Sequence, residues 1–244
     1  MTGAVADHVV ARSAWLKSFP LNEVQRASEF IRTTWNEIAS TKPDSFAPTL
    51  RENTITETLA SYIQKTALAK GRLTGFWGYE EQSSDLAEIT KKQLGAVNRI
   101  RKDLVYKSNA KKIRLQLTYE FKKIKATNGS CKTYRGKDGM RRFVDGHYAQ
   151  KMPMAAMVGM VIGGRQEVID MLRRSLLSPA GLSDLKMVVN SSQKFLDEPS
   201  ALLPGVAEFD TEHVRPTEKA PPHGTIRLAH MFLQMPVAVE PSTD

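Results

Sequence analysis

Three residues carry the charges that metal-assisted hydrolysis of a phosphodiester requires. Asp103 is followed seventeen residues later by Glu120, and Lys122 comes two residues after Glu120. Two carboxylates and one backbone carbonyl, here that of Phe121, make a hard oxygen-ligand set that suits Mg²⁺ or Mn²⁺. Such a cation would activate an attacking water, and Lys122 would orient or activate the nucleophile. We therefore predict Asp103, Glu120 and Lys122 as catalytic, with Asp103, Glu120 and the Phe121 carbonyl as metal ligands.

The convergence of these groups depends on how two strands pair. Apolar and polar residues alternate around Glu120 and Lys122, which predicts a strand with both side chains on one face. An even-length hairpin loop puts Asp103 on that face as well. A tight turn at 109–110 would separate Asp103 from Glu120 by about four residues, or roughly 13 Å. We predict a wider connection through 108–112, because the basic residues there are unsuited to a dry strand pair, and this register places Asp103 opposite Glu120.

The positive charge is concentrated in one part of the chain. The net charge is +9, but residues 91–151 hold eighteen Lys and Arg against four Asp and Glu, whereas the rest holds seventeen against twenty-two. Such a segment favours a polyanionic partner, because bound nucleic acid releases counterions. A solvated charged face is the competing interpretation. The residues predicted to contact nucleic acid are Arg101, Lys123, Arg135, Arg141 and Arg142.

Helices and strands alternate along the chain, which predicts an α/β fold. Helices are expected at about 13–40, at 165–177, at 139–150 after a polar loop at 128–136, and from Asn53 or Thr54 to Gly71, where Thr54 and Glu57 form a capping box. Strands are expected at 73–79, on both sides of 108–112, at 152–162 and at 226–235. Prolines predict a loop or an extended crossing, rather than a regular element, over 197–224. The predicted parts are an N-terminal helical appendage (1–50), a core (51–195) and a Pro-rich crossing with a C-terminal strand that packs on the core (196–244).

An Asp in one strand followed by Glu-x-Lys in the next resembles the PD-(D/E)xK nuclease superfamily. The similarity covers about 53–177, although Lys102 stands where that motif has proline. The resemblance implies a restriction-endonuclease-like mixed β-sheet flanked by helices, an Mg²⁺- or Mn²⁺-dependent endonuclease that cleaves DNA in preference to RNA, and a role in bacterial antiviral defence. It also implies a further metal ligand from the first core helix, either Glu57 or Glu52. A second copy of the chain or a targeting subunit is the partner that a nuclease of this size would use.

Other features limit the remaining possibilities. Cys131 is the single cysteine, and we find neither a signal-peptide pattern nor roughly 20 consecutive apolar residues, so a cytoplasmic protein without a membrane role is expected. We find no phosphate-binding glycine motif, so no nucleotide cofactor is expected. His230 lies between apolar residues and is predicted to be structural. Two alternatives stay open: a non-catalytic nucleic-acid-binding or assembly subunit that keeps a nuclease-like fold, and an interaction protein whose charged sheet is incidental.

Overall fold

The computed structural model describes residues 19–83, 100–109 and 115–236, without the side chains of 80–83 and 100–102. Its centre is a seven-stranded mixed sheet in the order β1-β2-β3-β4-β7-β6-β5. The strands are β1 (Phe76–Ser83), β2 (Ile100–Lys107), β3 (Gln116–Ile124), β4 (Met154–Val161), β5 (Leu196–Asp197), β6 (Phe209–Val214) and β7 (Thr225–Gln234). β3 and β4, and β4 and β7, pair in parallel, and the other four pairs are antiparallel. The prediction of a mixed sheet flanked by helices is confirmed.

Helices cover both faces of this sheet. The helices are α1 (Leu21–Thr41), α2 (Glu52–Thr66), α3 (Asn128–Arg135), α4 (Met140–Val144), α5 (Arg165–Leu176) and α6 (Pro179–Asp184), with a 3₁₀ helix at Pro43–Phe46. One apolar core joins α1 and α2 to the sheet, and a second joins α3, α4 and α5 to the opposite face. No helix among the described residues is long and apolar enough to span a membrane.

Side-chain alternation along β3 assigns its residues to the two faces. Leu117, Tyr119 and Phe121 belong to the core under α1 and α2, whereas Ile124 belongs to the core under α3 to α5. Because successive side chains of a strand point to opposite faces, Glu120 and Lys122 lie on the α3–α5 side.

Helix α1 is fixed to the sheet by both apolar and polar contacts. Trp35 is fully buried, stacks on Phe46 with ring centroids 4.1 Å apart, and donates a hydrogen bond of 2.8 Å to the carbonyl of Gln234 in β7. Burial of a large side chain of this kind contributes roughly 1.5–3 kcal/mol. Ser28 of α1 and Tyr119 of β3 are hydrogen-bonded at 3.0 Å. The division at residue 50 stays a prediction, but this helix shares its apolar core with α2 and the sheet.

Several sequence expectations hold and others are wrong. The strands around Asp103 and Glu120, the strands at 154–161 and 225–234, and the helix at 165–176 are confirmed. The expected polar loop at 128–136 is wrong, because α3 begins there with Thr127 as its cap, whose hydroxyl accepts a bond from the Ser130 N–H. The helix expected over 139–150 spans only 140–144. The expected loop at 197–224 contains β6, whose flanking prolines lie outside the strand itself.

Candidate functional site

The register between β2 and β3 determines where Asp103 stands. Paired residues run from Lys107 and Gln116 to Leu104 and Tyr119, and one further step in this register puts Asp103 opposite Glu120. The two strands are joined by residues 108–115, of which 110–114 lie outside the described part. The strand register is therefore the one predicted for the wide connection, and it differs from the register that a tight turn at 109–110 would require.

Asp103 bonds to the main chain of β3 just beyond the last paired residues. Its Oδ2 accepts a hydrogen bond of 2.8 Å from the N–H of Phe121. A residue in an extended strand directs its N–H and its carbonyl to the same neighbour, so the Phe121 carbonyl also faces the β2 side. The two strands thus place one carboxylate and one main-chain carbonyl at the same position along β3.

Glu120 and Lys122 are buried, at 1% and 8% exposure. The ammonium of Lys122 lies 3.0 Å from Oε1 of Glu120, and Oε2 of Glu120 is buried without a hydrogen-bond partner. Such an unpartnered carboxylate oxygen is uncommon in a folded protein and costs free energy unless a cation or water satisfies it. Glu120 and Lys122 are therefore not solvated charges on an exposed sheet face.

Glu52 is the carboxylate that α2 contributes to the cluster around Lys122. It is the first residue of the helix, its Oε1 lies 2.6 Å from the Lys122 ammonium, and its Oε2 accepts a bond of 2.9 Å from the N–H of Lys123. Glu57, the other candidate, is exposed one turn further along the helix. The expected capping box of Thr54 and Glu57 does not form, because the helix begins at Glu52.

Burial and mutual repulsion raise the pKa values of the buried carboxyl groups. Burial, followed by the charge of Asp103, raises the pKa of Glu120 to about 8, although Lys122 acts in the opposite direction. Burial also raises the pKa of Asp103. Burial alone would lower the pKa of Lys122, but Glu120, Glu52 and Asp103 outweigh it and raise the pKa, so this amine is an ammonium ion. Burial therefore penalises the charged form of both carboxyls more than the neighbouring cations favour it, and an added cation would offset that penalty.

Arg142 and Tyr148 approach the carboxylates from the α4 side. The Arg142 guanidinium donates a hydrogen bond to the phenolic oxygen of Tyr148 and lies 5.2 Å from its ring centre. It also donates to Asp138 at 3.2 Å. The charge of Arg142 lowers the pKa of Glu120, whereas burial and the Glu120 charge raise the pKa of Tyr148. The sequence pointed to Arg142 as a basic residue but gave no signal for its pairing with Tyr148.

Of the other residues predicted to contact nucleic acid, Lys123, Arg135 and Arg141 are described, and each has its own protein partner. Lys123 donates to the carbonyls of Pro48 and Leu50, so its amine holds the chain before α2. Arg135 is 3.6 Å from Asp184, and Arg141 forms an ion pair of 3.1 Å with Asp145 in the same helical segment. Arg101 lies in β2, and its side chain is outside the description.

The donor set fits a hard divalent cation in part. The unpartnered oxygen of Glu120, the raised pKa of both carboxyls and the carbonyl of Phe121 are what such a cation would satisfy. Within the described ranges, however, no three His, Cys, Asp or Glu side chains form a ready metal cage. Asp103, Glu120 and the Phe121 carbonyl would hold the ion, while Glu52 is occupied by Lys122.

The described part of the chain has a cavity of about 710 Å³ elsewhere, beside the first turn of α1. Glu23, Arg26 and Tyr106 line it, and none of the site residues does. Tyr106 donates a bond of 2.6 Å to Glu23, so the carboxylate in this cavity is already satisfied. The candidate site is therefore the buried cluster on β2 and β3.

Comparisons with protein-family models, with curated proteins and with solved structures give no match for this chain. The chemistry of the site therefore rests on the positions of its own side chains.

Proposed function

We propose that this chain is a divalent-metal-dependent nuclease of the PD-(D/E)xK type, with a restriction-endonuclease-like fold, that hydrolyses phosphodiester bonds in DNA. The observation that carries the proposal is the register that sets Asp103 opposite Glu120, with the Lys122 ammonium beside them and one oxygen of Glu120 unsatisfied. Bound Mg²⁺ or Mn²⁺ would supply a water of lowered pKa and would neutralise charge on the phosphate.

The residues of the chain then have distinct roles. Asp103, Glu120 and the Phe121 carbonyl orient the ion. Lys122 is held as an ammonium by its carboxylate neighbours, which favours orientation of water and stabilisation of phosphate charge over proton abstraction. Arg142 adds a second cation on the α4 side. Water attacks phosphorus, the bond to the sugar oxygen breaks, and that oxygen takes up a proton.

Cleavage assays test this proposal. The purified chain is incubated with plasmid, linear and single-stranded DNA and with RNA, in Mg²⁺ or Mn²⁺. We expect cleavage of DNA by the natural chain and a loss of at least about 100-fold in the Glu120→Ala, Lys122→Ala variant, since preorganised charge supplies effects of this order. The matched control is Glu57→Ala, Lys65→Ala, which makes the same charge change on the exposed side of α2. Equal cleavage by the site variant and the natural chain would refute the proposal.

A second candidate is favoured by the ion pairs of Lys122. The ammonium lies within 3.0 Å of Glu120 and 2.6 Å of Glu52, so the charges are partly balanced without any metal. A non-catalytic nucleic-acid-binding or assembly subunit would use this cluster for structure alone. It would bind DNA with an affinity that falls steeply with salt, and neither Mg²⁺ nor Mn²⁺ would give cleavage.

A further inference from the structure

Arg215 is a buried cation far from the carboxylates in sequence. It is 3% exposed, and its two terminal nitrogens donate to the carbonyls of Ala149 at 2.7 Å and Tyr148 at 2.6 Å. Both acceptors are neutral, and Nε is buried without a hydrogen-bond partner. Burial lowers the pKa of Arg215 to about 10. A charge buried against neutral groups is unfavourable, so these two bonds matter for the segment that receives them.

The segment that receives these bonds, residues 146–151, has an unfavourable backbone conformation that hydrogen bonds from other parts of the chain must stabilise. Ala149 and Lys151 have φ values of 50° and 59°, in the left-handed region that residues with a side chain rarely adopt. The chain that follows Arg215 makes a further bond to residues 146–151, since the Lys151 N–H donates to the Lys219 carbonyl at 3.0 Å. Gly146, at φ 74°, leaves the space that the Lys219 side chain fills, because a Cβ there would lie 2.6 Å from it.

Tyr148, which lies in this supported segment, contacts Arg142 through both its main chain and its side chain. The Tyr148 N–H donates to the Arg142 carbonyl at 2.9 Å, and the phenolic oxygen of Tyr148 accepts from the Arg142 guanidinium. Arg142 in turn acts on Glu120 through its charge. Hydrogen bonds therefore lead from Arg215 to the Tyr148 main chain and from Tyr148 to Arg142, whose charge acts on Glu120.

We infer that Arg215 is a positioning residue of the proposed nuclease site, which fixes the Tyr148 main chain and thereby aims Arg142 at the phosphate beside Asp103 and Glu120. The inference rests on the proposed function. Arg215 does not bind substrate itself, because its terminal nitrogens are occupied and its side chain is enclosed.

Kinetics of the full chain test this role. We expect Arg215→Met to lower kcat by about 10-fold or more, because small misplacements of a catalytic group cost rates of this order. We expect KM for DNA to change by less than about 3-fold, because phosphate contacts spread along the duplex supply most of the affinity. Arg215→Lys, which keeps a donor for one carbonyl, is expected to recover part of kcat.

The matched control is Arg227→Met. Arg227 of β7 is a second, largely buried guanidinium that pairs with Asp197 of β5 and Asp210 of β6, so its removal takes away buried ion pairs without touching Tyr148. Its kcat per folded molecule should equal that of the natural chain. Adding Arg215→Met to an Arg142→Ala chain should cause no further loss, since Arg215 acts through Arg142. Unchanged kcat in Arg215→Met, an equal loss in Arg227→Met, or a full additional loss in the Arg142→Ala background would each overturn the inference.

Two measurements keep the test decisive if a variant is unstable or if the natural chain does not cleave DNA. Tyr148→Phe leaves the Arg215 bonds intact, and we expect it to lower kcat without unfolding the chain. Exchange of the Arg142 Nε–H, followed by ¹⁵N NMR, reports its position without activity. Faster exchange in Arg215→Lys than in Arg227→Met supports positioning even where the nuclease proposal fails, and equal exchange overturns it.

Discussion

Glu120 is an acidic side chain in a buried strand, and its surroundings work against its charge. Its pKa is raised to about 8 by burial and by Asp103, from an ordinary value of 4.5. Between these two values the folded chain binds more protons than the unfolded chain at this site. The Glu120 contribution to the free energy of unfolding is therefore fully favourable below pH 4.5 and declines as pH rises towards 8.

Glu120→Gln should abolish this decline in the free energy of unfolding at high pH, because the amide does not ionise. In metal-free buffer with a chelator, we expect the variant to be more stable than the natural chain by roughly 1–3 kcal/mol at pH 8, since each pKa unit corresponds to about 1.4 kcal/mol. At pH 5 the difference should be much smaller. Urea unfolding at both pH values measures it, with Glu57→Gln as the control for the same substitution at an exposed site. A Glu120→Gln variant no more stable than the natural chain at pH 8 would contradict this account.

The positions of Asp103, Glu120 and Lys122 could be predicted from the sequence because strands have a two-residue period. Alternation put Glu120 and Lys122 on one face, and the unsuitability of a basic run for a tight pair selected the register of Asp103. The role of Arg215 could not be found in this way. Its partners lie 66 and 67 residues earlier in the chain, and main-chain carbonyls carry no sequence signature.

At the scale of elements, the start of α2 and the chain before it are attached to β3 through the side chains of Glu52 and Lys123. Glu52 bonds to both the Lys122 ammonium and the Lys123 N–H, and Lys123 bonds back to the chain before the helix. Local sequence favoured a start one or two residues later, where Thr54 and Glu57 match a capping pattern. The tertiary contacts of Glu52 outweighed that local preference, so the choice between Glu52 and Glu57 required the structure.

Glu52→Ala is expected to destabilise the fold by about 1–3 kcal/mol, because it leaves the N–H of Lys123 without its side-chain acceptor and removes one of the two carboxylates that pair with the buried Lys122. Glu57→Ala, on the same helix, should change stability by less than about 0.5 kcal/mol, as is usual for exposed positions. Thermal unfolding of both variants at pH 7 measures the contrast. Equal effects of the two substitutions would show that the Glu52 contacts contribute nothing to stability.

At the scale of the whole molecule, a buried hydrogen-bonded chain joins the second half of the sheet to the helices. The carbonyl of Leu185 can only accept, so Nδ1 of His213 donates to it at 2.8 Å. Nε2 of His213 then accepts from the Thr211 hydroxyl, and that oxygen accepts from Nε2 of His230. Nδ1 of His230 is left to accept from Tyr134 of α3 at 3.1 Å. Each bond fixes the next, and every member has a structural partner only while both imidazoles are neutral.

Acid should disrupt this series of buried hydrogen bonds, because it protonates the imidazoles. Burial lowers the pKa of His213 to about 4 and that of His230 well below its usual 6.5. The unfolded chain therefore takes up protons first, and these groups stabilise the fold fully above pH 6.5 and progressively less as pH falls towards 4. The free energy of unfolding of the natural chain should fall by roughly 3 kcal/mol between pH 7 and pH 4 through His213.

His213→Gln keeps an acceptor for Thr211 and should lack this fall. The variant is therefore expected to be less stable than the natural chain at pH 7, and the difference in stability between the two should narrow on acidification. Glu120 and Asp210 titrate in both proteins and cancel in the comparison. Urea unfolding across this range, with exposed His147→Gln as control, decides the question, and a deficit that stays constant with pH would refute the assigned role of His213.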